Sequence, residues 1–204
     1  NLSRTRTTRT TRTRWSTDGI QALRLLAADG YTQRPPIASR NMGQERCPME
    51  DLEMNSNHYW SGTPVLVTGA TGIVGSWMCS ELLNRGAHVV ALVKDADPQS
   101  ELLRSGTINK LTVVNGNLED YWTVERAINE HDIQVVVHLG AQAIVGAALR
   151  SPLPTFESNI RGTYNVLEAT RVHAKQIKSV VIASSDKAYG EHEILPYTED
   201  GPLI

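Results

Sequence analysis

The residues best placed to do chemistry fall in two clusters. The first is Val65-Leu66-Val67-Thr68-Gly69-Ala70-Thr71-Gly72-Ile73-Val74-Gly75, an apolar run that passes through three glycines into a helical pattern. A strand-to-helix turn of this kind lets the backbone approach a pyrophosphate closely and sets it on the helix N-terminus. Gly69 and Gly72 permit the approach, and Gly75 lets the helix lie tightly on the sheet. A glycine triplet alone is weak, but here a strand precedes it, a helix follows it, and an acid, Asp95, stands just past the second strand. Asp95 is expected to accept hydrogen bonds from the adenosine ribose and to repel a 2′-phosphate, which favours NAD over NADP. Lys94 beside it keeps NADP open. The second cluster is Ser184-Ser185-Asp186-Lys187, a hydroxyl, a carboxylate and an ammonium in succession after the fifth apolar run. The bland alternative for its charged members is a loop ion pair.

The elements that must position these clusters follow from periodicity. Val/Ile-rich continuous runs at Pro64–Thr68, Ala87–Val93, Leu111–Asn115, Ile133–Leu139 and Lys178–Ser184 read as strands buried on both faces. Helical patterns lie between them at Ile73–Arg85, Glu119–His131 and Thr155–His173. Right-handed crossovers then give an α/β fold, a Rossmann-type doubly wound parallel sheet ordered 3-2-1-4-5. Ile73, Trp77, Met78 and Leu82 are expected to be the buried face of the first helix. Phe156, Ile160, Tyr164 and Leu167 are expected to be that of the last, extended by Ala169 and Val172. Trp122 reads as packing, His138 as a packed, hydrogen-bonded histidine, and His88, His131 and His173 as solvated. Glu119 and Asp120 read as a helix start.

In order and spacing, Thr-Gly-x-x-Gly-x-x-Gly resembles the extended short-chain dehydrogenase/reductase family of NAD-dependent epimerases and dehydratases, and the likeness runs from Val65 to the end. Gly116-Asn117-Leu118 resembles the family's Gly-Asp-Leu, which holds adenine, with Asn117 in place of the acid. Val137-His138-Leu139-Gly140-Ala141-Gln142 resembles the fourth-strand end that lines the cofactor cleft, and Asn159-Ile160-Arg161-Gly162-Thr163 resembles the family's helix motif, whose Asn is a structural and active-site hydrogen-bonding residue. The resemblance implies cofactor contacts at Gly69, Thr71, Gly72, Ile73, Val74, Gly75, Asp95, Asn117, Leu118, Leu139, Ala141, Gln142, Asn159 and Ser184, and no metal.

Ser185 matches the Ser or Thr that hydrogen-bonds the sugar hydroxyl being oxidised. Asp186 matches the acid of nucleotide-sugar 4,6-dehydratases, CDP-glucose-like or GDP-mannose-like, and Lys187 stands where many of them carry a glutamate base, an Asp-Lys pairing similar to that of the CDP-glucose branch. The implied activity is a 4,6-dehydratase, a lyase. A nucleotide-sugar 4-epimerase is the alternative enzyme, and a non-catalytic NAD(P) sensor the alternative of another class. No Tyr-x-x-x-Lys pair occurs in the sequence, so the chain is expected to be an N-terminal fragment, inactive alone, of a protein that is homodimeric at full length.

The sign of charge is unevenly spread. Residues 1–57 carry nine Arg and six acids, and the remainder carries eleven Lys/Arg and sixteen acids. An acidic globular part argues against nucleic-acid binding. The opening NLSRTRTTRTTRTR has no apolar periodicity, so residues 1–57 are expected to be a disordered extension and 58–204 the Rossmann domain. Such an acid-free opening has the composition of a transit peptide, although upstream translated sequence explains it better. Two cysteines offer neither a disulfide framework nor zinc spacing, and no apolar run suits a membrane span. A cytoplasmic setting is expected.

Overall fold

The structure, a computed structural model, describes residues 59–191, 195–198 and 201. The expected disordered extension therefore lies outside the described residues. Strands β1 (Pro64–Thr68), β2 (His88–Val93), β3 (Thr112–Asn115), β4 (Val135–His138) and β5 (Ser179–Ile182) form one parallel sheet in the order β3-β2-β1-β4-β5. Helix α1 (Ile73–Asn84) links β1 to β2, and the short α2 (Glu101–Arg104) and a 3-10 turn at Thr107–Lys110 link β2 to β3. Helix α3 (Tyr121–Glu130) leads to β4. From β4 the chain runs through α4 (Val145–Arg150), α5 (Pro152–Phe156), a π turn at Glu157–Arg161 and α6 (Gly162–Val172) into β5.

The sheet is covered on both faces, which is why its strands are continuous in Val, Ile and Leu rather than alternating. Val65, Val67, Val89 and Ala91 pack with Cys79 and Leu82 of α1 and Leu102 of α2. Leu66, Val90 and Val136 face the other way, onto Val124 and Ile128 of α3 and Val166 and Ala169 of α6. Helix α3 starts where Asp120 accepts from the Trp122 N–H at 3.1 Å and from the Thr123 hydroxyl, which satisfies an otherwise orphaned donor. Those bonds, led by the Thr123 hydroxyl, hold the Asp120 carboxyl below its usual range. The buried Cys79 thiol is pushed up to about 12 by desolvation, so it packs as an inert apolar group.

Two helix faces differ from expectation. Helix α1 buries Gly75, Ser76, Cys79 and Leu82, whereas Ile73 and Trp77 are 80% and 65% exposed. Helix α6 buries Gly162, Asn165, Val166, Ala169 and Thr170, while Phe156, Ile160, Tyr164, Leu167 and Val172 are exposed. The physical reason is the same in both. The stripe toward the sheet combines small residues with Leu82 in α1 and Val166 in α6, and the bulky residues Ile73, Trp77, Tyr164 and Leu167 are turned outward. Trp122 is also exposed, its ring edge-on to that of the neighbouring Tyr121 at 5.2 Å. His173, expected to be solvated, is half-buried and 2.7 Å from Glu125 across the α3–α6 contact. No helix among the described residues is long and apolar enough to cross a membrane.

Candidate functional site

All five strands end at the same edge of the sheet, and the loops that leave β1, β2, β3 and β4, with the π turn, surround one cleft. Thr68, Gly69 and Thr71 come from the β1–α1 turn, and Leu92 and Lys94 from the end of β2. Gly116, Leu118 and Glu119 follow β3, Gly140 and Ala141 follow β4, and Ser158 comes from the π turn.

The β1–α1 turn is tight. Gly69 has φ +68°, the Gly72 N–H reaches the Gly69 carbonyl at 3.0 Å, and Gly72 caps the helix without a side-chain bond. A Cβ on Gly69 would stand 2.7 Å from the Gly140 nitrogen and the Leu139 carbonyl carbon, and one on Gly75 would run into the Gly69 carbonyl oxygen. The first-turn N–H groups of α1 therefore have no i−4 acceptor, and no acid occupies that turn to neutralise them. An anion is the ligand such a terminus suits.

Behind the cleft a chain of hydrogen bonds ties β1, β4 and the π turn together. Thr68 and His138 are register partners across β1 and β4, with Thr68 Oγ1 2.7 Å from His138 Nδ1. The Gly140 N–H donates to Thr68 Oγ1 at 3.1 Å, and Thr163 Oγ1 donates to the Asn159 carbonyl at 2.7 Å. Thr163 has then spent its proton, so it accepts from His138 Nε2 at 3.1 Å. The histidine is thus the neutral Nε2–H tautomer, accepting at Nδ1 from Thr68. Burial also drives His138 below its ordinary value. Asn159 in turn clamps the backbone of one residue of the β4 loop, Gln142, at both its N–H and its carbonyl. Its Oδ1 accepts from the Gln142 N–H at 2.7 Å and its Nδ2 donates to the Gln142 carbonyl at 3.1 Å.

The sequence-predicted residues divide accordingly. Gly69, Thr71, Leu118 and Ala141 line the cleft. Gly72, Ile73, Val74 and Gly75 form the helix start beside it. Leu139 is half-buried behind the lining, against the α1 core, and Gln142 and Asn159 hold the β4 loop. Asp95, Asn117 and Ser184 are exposed and outside the lining. Lys94, Glu119 and Ser158 take places in the cleft that sequence reasoning did not assign to them. Glu119 had been read only as a helix start, and its offset of two residues from Asn117 was the available signal.

Ser185, Asp186 and Lys187 open a 3-10 turn, Asp186–Tyr189, after β5. Ser185 Oγ donates to Asp186 Oδ1 at 3.2 Å and accepts from the Lys187 N–H at 3.2 Å, and Lys187 Nζ donates to Asp186 Oδ2 at 3.2 Å. Lys187, then Ser185, hold the Asp186 carboxyl below its usual value, and Asp186 raises Lys187. The proton therefore resides on the lysine. All three side chains are exposed at the edge of the sheet that carries the cleft.

A family model described as GDP-mannose 4,6 dehydratase matches residues 66–204. The UDP-glucose 4-epimerase of Bacillus subtilis is 34% identical over 142 residues, 68% of this chain and 41% of that protein. The CDP-glucose 4,6-dehydratase of Salmonella typhimurium is 32% identical over 152 residues, 74% of this chain and 42% of that protein. The solved UDP-glucose 4-epimerase of Stenotrophomonas maltophila, with bound NAD and formylated UDP-arabinopyranose, superposes with a TM-score of 0.61 at 31% identity, covering 70% of this chain and 43% of that one. The chain spans about two fifths of the length of these relatives. With the parallel sheet, the glycine turn and the matched span in agreement, the chain belongs to the NAD-dependent epimerase/dehydratase family of short-chain dehydrogenases/reductases, within the reach of its GDP-mannose 4,6-dehydratase model.

Proposed function

We propose that this chain is the NAD-binding part of a nucleotide-sugar 4,6-dehydratase. The observation that carries the dehydratase over the epimerase reading is the hydrogen-bonded trio Ser185, Asp186 and Lys187 at the end of β5. A 4-epimerase has no elimination to catalyse and no use for a carboxylate and an ammonium side by side. The residues of the cleft fit the dinucleotide: the β1–α1 turn closes tightly on glycines at 69 and 75 where a Cβ would collide with backbone, the α1 N-terminus is free of acids, and Leu92 and Leu118 offer apolar walls.

Bound NAD would supply the acceptor for hydride from sugar C4 and the donor for its return to C6, the C4 hydroxyl proton passing to a base other than Asp186 and Lys187. The chain's own contribution is positional and protonic. Ser185 hydrogen-bonds the C4 hydroxyl. In the ion pair Asp186 is a carboxylate and Lys187 an ammonium, so the roles the geometry favours are the reverse of those the family resemblance implies. Asp186 takes the C5 proton, and Lys187 delivers its proton to the C6 oxygen as it leaves as water. Each such group is worth about 10²–10⁴-fold in rate.

The test uses the full-length protein with CDP-glucose, GDP-mannose and UDP-glucose in deuterated water. A 4-keto-6-deoxy product is expected from one of them. Asp186→Asn should abolish deuterium entry at C5, whereas Lys187→Gln should retain it and block loss of water. A product that keeps its 6-hydroxyl and is inverted at C4 would establish the epimerase instead.

The full-length protein is proposed to be a homodimer joined through the outward stripe Leu153, Phe156, Ile160, Tyr164 and Leu167, each about half exposed or more in this chain. Apolar side chains exposed together along one helical face mark an interaction surface when they form a contiguous patch. Ile160→Glu should shift the sedimentation of the full-length protein from dimer to monomer, and an unaltered dimer would exclude this face.

A further inference from the structure

Among the described residues that line the cleft, one buried side-chain polar atom has no hydrogen-bond partner. Glu119, in the loop between β3 and α3, lies 3.4 Å through Oε1 from Lys94 Nζ at the end of β2. Its other oxygen, Oε2, is buried and has no hydrogen-bond partner among the described residues. A buried carboxylate oxygen left unpaired is costly, and a ligand that brings a donor removes that cost. Both residues line the cleft beside Leu92, Gly116 and Leu118, two apolar side chains and a glycine that suit a flat ring. The acceptors expected from the sequence, Asp95 and Asn117, are exposed and outside this lining. Arg161 is the other cation that feels Glu119, but it is engaged with Glu157 at 2.9 Å.

We propose that Glu119 selects the adenosine half of the dinucleotide: its free carboxylate oxygen accepts a hydrogen bond from an uncharged donor, the adenine 6-amino group or a ribose hydroxyl, while Lys94 holds the other oxygen. This rests on the dinucleotide reading of the cleft. A carboxylate in that place disfavours any analogue that presents an acceptor or an anion where the donor was. The hypoxanthine analogue of NAD replaces the amine by a carbonyl, and NADP replaces the ribose 2′-hydroxyl by a phosphate. Glutamine at 119 offers a donor as well as an acceptor and removes the charge, so it cannot enforce the distinction.

The experiment is calorimetric titration of NAD, NADP and nicotinamide hypoxanthine dinucleotide into the full chain and into Glu119→Gln. The wild-type chain should prefer NAD over at least one analogue by about tenfold or more, the worth of a charge-assisted hydrogen bond. That preference should fall at least about fivefold in the variant. Collapse for the hypoxanthine analogue assigns the amine, and collapse for NADP assigns the ribose hydroxyl. The preference is a ratio within one protein, so a general loss of folding cancels. Glu119→Asp, which withdraws the same oxygen by one methylene, gives the same comparison if the glutamine variant does not fold. Equal binding of all three by wild type, or an unaltered ratio in the variants, would overturn the role of Glu119 and leave the dinucleotide reading standing. Binding of none by the folded wild-type chain would remove that reading, and this inference with it.

Discussion

Gly69→Ala is expected to lower stability by about 2–5 kcal/mol and to weaken NAD binding by more than about tenfold. Two separate costs add. The backbone at φ +68° is left-handed, which costs an L-residue roughly 1–2 kcal/mol. The new methyl also meets backbone atoms of Leu139 and Gly140 at 2.7 Å, and overpacking against a fixed neighbour costs about 1–3 kcal/mol. Those atoms belong to the loop after β4 that Asn159 clamps through Gln142, so they have little freedom to retreat. Gly75→Ala should be comparably harmful by another route, because its Cβ collides with the Gly69 carbonyl and tilts α1 away from the turn. Gly146→Ala is the control. Its nearest neighbour is the end of the Arg150 side chain at 3.9 Å, and alanine within α4 should be neutral or stabilising by roughly 0.5–1 kcal/mol. Urea unfolding and NAD titration of the three variants check the set. Equal tolerance of alanine at 69 and 146 would mean that the turn is not closed in this way.

His138→Leu is expected to cost about 1–3 kcal/mol, because the buried Thr68 hydroxyl loses its acceptor. It should also change how stability depends on pH. Burial depresses the His138 pKa in the folded state, while the unfolded value is about 6.5. The unfolded chain then binds more protons, so His138 contributes stability that is full above about pH 6.5 and is lost as pH falls from there through the folded pKa. Protonation would place a donor at Nδ1 against the Thr68 hydroxyl, which already accepts from Gly140. Urea midpoints at pH 8 and pH 5 should therefore differ more for wild type than for His138→Leu. An equal acid-side slope in the two would show that His138 carries no such linkage.

The sheet was legible because its three central strands, β2, β1 and β4, are almost wholly buried, and burial there favours Val and Leu in continuous runs, while the partly exposed edge strands β3 and β5 keep Val or Ile at their central positions. The observed bounds of all five fall within two residues of the sequence reading. The helix faces were misjudged for a definite reason. Hydrophobic periodicity marks where Ile73, Trp77, Ile160 and Leu167 lie, but a helix that must approach a sheet closely does so on its small residues, here Gly75, Ser76, Cys79, Asn165 and Ala169. Periodicity placed Leu82 and Ala169 correctly on the inward stripes, and the rest of each stripe is drawn chiefly from smaller residues than the bulky ones expected there. Helices α2 and α4, of four and six residues, are too short for a period to register. In the site, the glycine turn was readable because backbone geometry constrains residue type. His138 was rightly read as packed and hydrogen-bonded, and the structure adds its partners and its tautomer. Glu119 was missed because a carboxylate at a helix start already has a sufficient local explanation.

The β1–α1 turn and the cleft beside it are proposed to hold NAD. Calorimetric titration of NAD into the chain, with folding checked by circular dichroism, tests it most directly. Saturable binding with a Kd of about 1–100 µM, lost in Gly69→Ala but kept in Gly146→Ala, is the predicted result. A folded chain that binds no NAD, or binds it equally in both glycine variants, would contradict it.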